Sequence, residues 1–295
     1  MNSRTADRIA TGVFIAIAVI IITILVALFS YILFNGLKYV SFDFITTPSS
    51  NIRAGGGIRD QLFNSLYILF ITMLITIPLG LGGGIYMAEY AKPGKVTNAI
   101  RSCIEVLASL PSIVIGMFGL LMFVNLTGWG YTILGGALAL TVFNLPVMVR
   151  VSEDAIRSVP RDQKEASLAL GITHWHTIKT ILLPSAFPSI LTGAILASGR
   201  VFGEAASLLF TAGQSTPRLD YADWNPFSDM SPLNIFRPAE TLAVHIWALN
   251  TQGIIPDVKE ISNGSAAVLI ISVLIFNLSA RWIGSIIHRK ITATK

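Results

Sequence analysis

Two groups of residues in this chain have types and spacings that could do chemical or mechanical work. The first is a polar stretch, Glu165-Ala166-Ser167, then Gly171, then Ile181-Leu182-Leu183-Pro184, set between two apolar segments each long enough to cross a bilayer. Ala166 and Ala169 would leave a smooth helix face, and Gly171 permits a sharp reversal of the chain. Ser158-Val159-Pro160 breaks the end of the preceding segment, and Pro160 can open a new helix. Asp162 and Glu165 then fall near that helix's start, where acidic groups suit the positive end of the dipole. The stretch predicts a short helix whose tip, Glu165 to Gly171, docks a separate soluble partner. The alternative is a plain connector between spans.

The second group is Arg200 and Glu204, four residues apart in one apolar segment and so predicted to share a helix face. An ion inside a bilayer is costly and should face a cavity or a partner. Arg200 could offer planar, bidentate donors to an oxyanion, with Glu204 orienting it or limiting how tightly the anion is held. The pair could equally pin helices together as a structural ion pair. Arg150 ends another apolar segment; it either snorkels to the interface or stands at the exit of an anion path. His174-x-His176 lacks a third ligand for a metal and reads as a pair on a docking surface, and His245 reads as interfacial. Neither glycine cluster is followed by Lys-Ser/Thr, so no phosphate-cradling GxxxxGK[ST] loop is present. Gly80-x-Gly82-Gly83-Gly84 reads as helix packing. No Ser-His-Asp set, HExxH or paired catalytic carboxylates point to an enzyme. No cofactor or metal is expected on this chain.

The elements that position these residues are membrane helices. Of 295 residues, 53% are hydrophobic and 13% charged, against about 25% charged in soluble domains; mean hydropathy is +0.68. Six segments reach the roughly 20 apolar residues that a span needs: 9–34, 62–88, 102–126, 131–150, 185–211 and 265–287. The first has no charged residue and is too long for a signal-peptide core, so it reads as a retained, lipid-facing anchor. The second to fifth contain Pro78, Pro111, Pro146 and Pro188 and many small residues, and read as a packed core. The fold class predicted is all-α and polytopic: residues 1–60 as a first helix and outer loop, 61–287 as a five-span permease unit, 288–295 as a tail. A lone Cys103 excludes an internal disulfide.

Lys and Arg set the orientation. Arg4, Arg8, Lys92, Lys95, Arg101, Arg150, Arg157, Arg161, Lys164, Lys179, Arg281, Arg289, Lys290 and Lys295 fall on one side. Only Lys38, Arg53, Arg59, Arg218, Arg237 and Lys259 fall on the other. The positive-inside rule makes both termini and the 151–184 loop cytoplasmic. The net charge of +5 serves topology; no basic stripe suggests nucleic acid. Within the long outer loop, 212–264, the apolar stretch Ala239–Leu249 is too short to span and predicts a surface or re-entrant helix.

The Glu165-to-Pro184 stretch resembles the EAA loop of ABC importer permeases, with Ser167 in place of the third small residue. Nearly the whole chain resembles the phosphate-specific branch of that family, the PstA permeases. The stretches that carry this are Gly55-Gly56-Gly57-Ile58, Pro78-Leu79-Gly80, Tyr86-Met87-Ala88-Glu89-Tyr90, Leu110-Pro111-Ser112-Ile113 through Gly116, and Arg200-x-x-Gly203-Glu204. The resemblance implies a type I importer fold and inward phosphate transport, with Arg150 and Arg200 lining the route. It implies a PstC-like companion permease, a PstB-like ATPase pair that holds ATP and magnesium, and a PstS-like extracellular binding protein. Other tetrahedral oxyanions (sulfate, molybdate, phosphonate) are the nearest alternative cargo, and a non-transport membrane scaffold is the other. One departure stands out: the family pattern Glu-(Thr/Ala)-x-Pro-Leu is here Glu204-Ala205-Ala206-Ser207-Leu208.

Overall fold

The computed structural model describes residues 3–50, 54–253 and 255–293. Arg53 and Lys295, counted above among the outer and inner charges, lie outside them. The described residues contain helices and no strand. In chain order these are α1 (Ser3–Gly36), α2 (Phe42–Thr46), α3 (Arg59–Ile85), α4 (Lys95–Ser109), α5 (Ser112–Gly119) and α6 (Ile133–Arg157). There follow α7 (Arg161–Ala169), α8 (His174–Thr177), α9 (Leu183–Phe202), α10 (Ala206–Thr211), α11 (Leu242–Gln252) and α12 (Val258–Ala293). Wide π-type turns extend α3 over Tyr86–Tyr90 and α5 over Leu120–Asn125, and a third, Ile178–Leu182, joins α8 to α9.

Five continuous helices are long and apolar enough to cross a membrane, and a bent pair makes a sixth candidate. The apolar stretch of α6 is 67% buried within the chain and that of α1 is 0% buried, so α6 is central and α1 peripheral. Between helices in lipid, close packing replaces the hydrophobic effect as the driving force. Here the means is glycine on α3: a Cβ on Gly80 would sit on Met148 of α6, and one on Gly84 would meet Ser152. The glycine run is therefore a seam between α3 and α6. One core cluster (Ile68, Leu69, Leu140, Val201, Phe202, Leu208) joins α3, α6, α9 and α10. A second (Met148, Ile156, Ile178, Leu182, Ile190) anchors the start of the fifth crossing against α6.

Several expected boundaries move. Segment 102–126 is not one straight span: α4 and the α5 stretch meet at an angle of 100°. Leu110, before Pro111, is extended at ψ 137°, as steric clash with the proline ring favours. The α4 residues Lys95, Arg101 and Glu105 are a charge set suited to an interface. The fourth span does not stop at 150, because α6 continues to Arg157. The fifth begins well before 185, since helix runs without interruption from His174, and it ends at Phe202 short of 211. The stretch Ala239–Leu249 does contain a helix, α11, from Leu242 on and capped by Thr241, but Leu242 to His245 are buried and not on the surface.

Candidate functional site

The helix α7 starts directly after Pro160, with Asp162 in its first turn. Glu165 and Ala166 are exposed on it, as are Leu168 and Leu170. Gly171 then turns the chain at φ +78°, the left-handed region that favours glycine. Ser167 faces inward, 2% exposed, and shares a 2.9 Å hydrogen bond with Thr177 of α8. That bond closes α7 and α8 into one hairpin. Ile181, Leu183 and Pro184 are not loop residues: Ile181 lies in the π turn, and Leu183 and Pro184 follow it at the start of α9, inside the helix that is continuous from His174.

The hairpin is tied to the end of α3. Glu89 Oε2 lies 2.6 Å from Lys164 Nζ of α7 and 2.8 Å from His174 Nε2 of α8. Tyr90 contacts the His174 ring edge-on, 5.1 Å between centroids. Arg157 Nη2 donates to the Met87 carbonyl at 3.0 Å, and its Nε lies 3.0 Å from Glu153, which also pairs with Arg101 of α4. The two histidines expected together on a docking surface are therefore separated: His174 is half-buried against Glu89, while His176 is exposed.

Arg200 and Glu204 do not share a helix face. Helix α9 ends at Phe202, and Glu204 lies in the break before α10, where its Oε1 accepts from Ser207 N at 3.1 Å. A proline at 207, as in the family pattern, has no N–H to give, so this cap belongs to the chain's own departure. Arg200 and Glu204 form no ion pair with each other. The Arg200 guanidinium is exposed and lies 3.8 Å over the Phe143 ring of α6. Arg150, seven residues further along α6 and so about 10 Å away along its axis, opens on a cleft of about 260 Å³ shared with Arg101, Glu105 and Glu153.

A buried polar network at the end of the bundle opposite the hairpin was missed altogether. Arg237, 3% exposed, donates to Asn64 Oδ1 at 2.7 Å and to the Pro232 carbonyl at 3.0 Å. Glu240 accepts from Gln61 Nε2 at 2.8 Å and lies 3.0 Å from His245 Nδ1, with both partners buried. His245 is thus an interior residue, not an interfacial one. Burial pushes the Arg237 guanidinium down to about 10, still protonated at neutrality. Nearby, burial and the Asp60 carboxylate push the Tyr221 phenol up. The only signal in the sequence was the excess of polar residues (Gln61, Asn64, Ser65) at the start of an apolar run.

A central α3–α6–α9 core thus carries the α7–α8 hairpin at one end and a braced loop at the other. The model of the family "Binding-protein-dependent transport system inner membrane component" matches residues 80–293. The chain belongs to this family. A Bacillus subtilis (strain 168) relative, "Probable ABC transporter permease protein YqgI", is 75% identical over 99% of this chain and 100% of its own. The "Phosphate transport system permease protein PstA" of Xylella fastidiosa (strain 9a5c) is 38% identical over 60% of this chain and 62% of that one. The Haemophilus influenzae PstA is 34% identical over 69% and 73%. Among solved structures, the MetNI methionine transporter matches with a TM-score of 0.58 at 18% identity, covering 78% of this chain and 94% of that one. A bacterial alginate transporter matches with 0.66 at 14%, covering 94% and 93%. The protein is a membrane component of a binding-protein-dependent transport system, with the helical fold of these importer permeases.

Proposed function

We propose that this permease carries inorganic phosphate inward. The observation that supports the reading best is the likeness to PstA proteins, 38% and 34% identical over more than half of the chain. In this reading the exposed Arg200 presents paired donors to the anion, Glu204 limits how tightly it is held, and Arg150 marks the cytoplasmic exit. The hairpin carrying Glu165, Ala166, Ser167 and Gly171 docks the ATPase, which holds ATP and magnesium, and Ile181, Leu183 and Pro184 join that joint to α9. Closure of the ATPase pair pushes the hairpin, and the core rocks between two states of access. A PstC-like permease completes the path, a PstS-like protein docks on the 35–61 and 212–264 loops, and both termini are cytoplasmic.

The test is uptake of labelled phosphate against labelled sulfate into membrane vesicles that hold the whole importer. Phosphate uptake should exceed sulfate uptake. Arg200→Ala should lower it about 10- to 100-fold, the scale of charge-assisted hydrogen bonds, and Arg200→Lys should restore only part because the planar fork is lost. Preferential sulfate uptake, or an Arg200→Ala transporter that works normally, would overturn the assignment.

A further inference from the structure

We propose that Glu89 is a positioning residue that makes the docking hairpin move together with α3. The hairpin is covalently continuous with the membrane core at both ends, with α6 through residues 158–160 and with α9 through α8 and the π turn, and apolar packing of Val159 and Ile178 near Ile85 and Ala88 backs it. The ion pair that ties α7 and α8 to the end of α3 uses a single carboxylate oxygen, Glu89 Oε2, held by Lys164 from α7 and by His174 from α8. Glu89's side chain is 7% exposed, whereas those of Lys164 and His174 are about one-third exposed, so the carboxylate is the enclosed member of the trio. A charge so enclosed depends on both partners staying in place. Since Ser167 and Thr177 already sew α7 to α8, a displacement of the hairpin pulls on Glu89 as one body. The Gly80–Gly84 seam then passes that displacement from α3 to α6.

This deepens the coupling role proposed above for the hairpin, and its test is read in two ways. In a Cys103→Ser background, spin labels at positions 92 and 170 report the distance between the end of α3 and the tip of α7 in the assembled importer. The native protein should give one narrow distribution. Glu89→Gln and Lys164→Glu should broaden it, and the reversed pair Glu89→Lys/Lys164→Glu should narrow it again. In vesicles, phosphate taken up per ATP hydrolysed should fall about tenfold in the single variants, the scale of coupling within a charged network. The ATPase should stay bound, and the reversed pair should recover part of the loss. A narrow distribution in Glu89→Gln, unchanged uptake per ATP, or a reversed pair no better than its single variants would overturn the role. If the native importer takes up no phosphate, the cargo assignment fails, and the label distances still decide the role of Glu89.

Discussion

Gly171 separates two reasons why the hairpin proposed to dock the ATPase needs glycine. Its φ of +78° costs other residues about 1–2 kcal/mol. A Cβ built there, however, meets nothing within 4 Å inside the chain. Within this subunit the penalty of Gly171→Ala is therefore backbone strain alone. If that strain is carried by the docking-competent hairpin, it lowers the population of that state by a factor of about 5–30, and affinity for the ATPase falls in proportion. Asn tolerates the left-handed region better than Ala does, so Gly171→Asn should lose clearly less than Gly171→Ala. Titration of purified ATPase onto the permease in nanodiscs measures this, with melting temperatures as the control for folding. Equal losses for Asn and Ala at unchanged melting temperature would refute the reasoning. They would mean that a side chain at 171 collides with the ATPase itself.

Two further perturbations test the frame that carries the hairpin. Gly84→Leu drives a side chain into Ser152 at the α3–α6 seam, and overpacking of this kind costs about 1–3 kcal/mol. It should lower the melting temperature in detergent, while Gly82→Leu, which meets nothing within 4 Å, should not. Arg237→Met should leave Asn64 Oδ1 and the Pro232 carbonyl without their donor, a loss of about 1–3 kcal/mol. Limited proteolysis should then cut the 212–241 loop sooner in Arg237→Met than in the native chain; equal cleavage rates would contradict the bracing role.

The legible parts of the fold were those set by local composition. Apolar runs located the long helices, though not all of their ends, and the small residues of α3 marked the face it shares with α6. Pro160 and Gly171 bounded α7 because each imposes a backbone state by itself. What stayed hidden depended on partners distant in the chain. Gln61 and Glu240 meet across 179 residues, and Glu89 is 75 positions before the lysine that it binds. Neither spacing is visible in a periodic pattern. The break at Leu110-Pro111 could have been read, since Lys95, Arg101 and Glu105 upstream argue for an interfacial helix. Helix α9 ended early for a subtler reason: Gly203 and the Glu204 cap let the chain restart at Ala206, which an unbroken apolar run conceals.

The turn at Ile178–Leu182 holds one residue more than an α-helical winding of the same length. One residue is about 100° of rotation about the helix axis. The number of residues from Gly171 to Pro184 is thus an angular setting, which fixes the bearing of the exposed α7 surface on the crossing below it. Deleting one residue from this wide turn would close it to an α-helical winding and leave α7 on nearly its old bearing. Deleting one from the tighter turns of α9, which hold no spare residue, would instead swing α7 by more than a quarter of a circle relative to the far end of that helix.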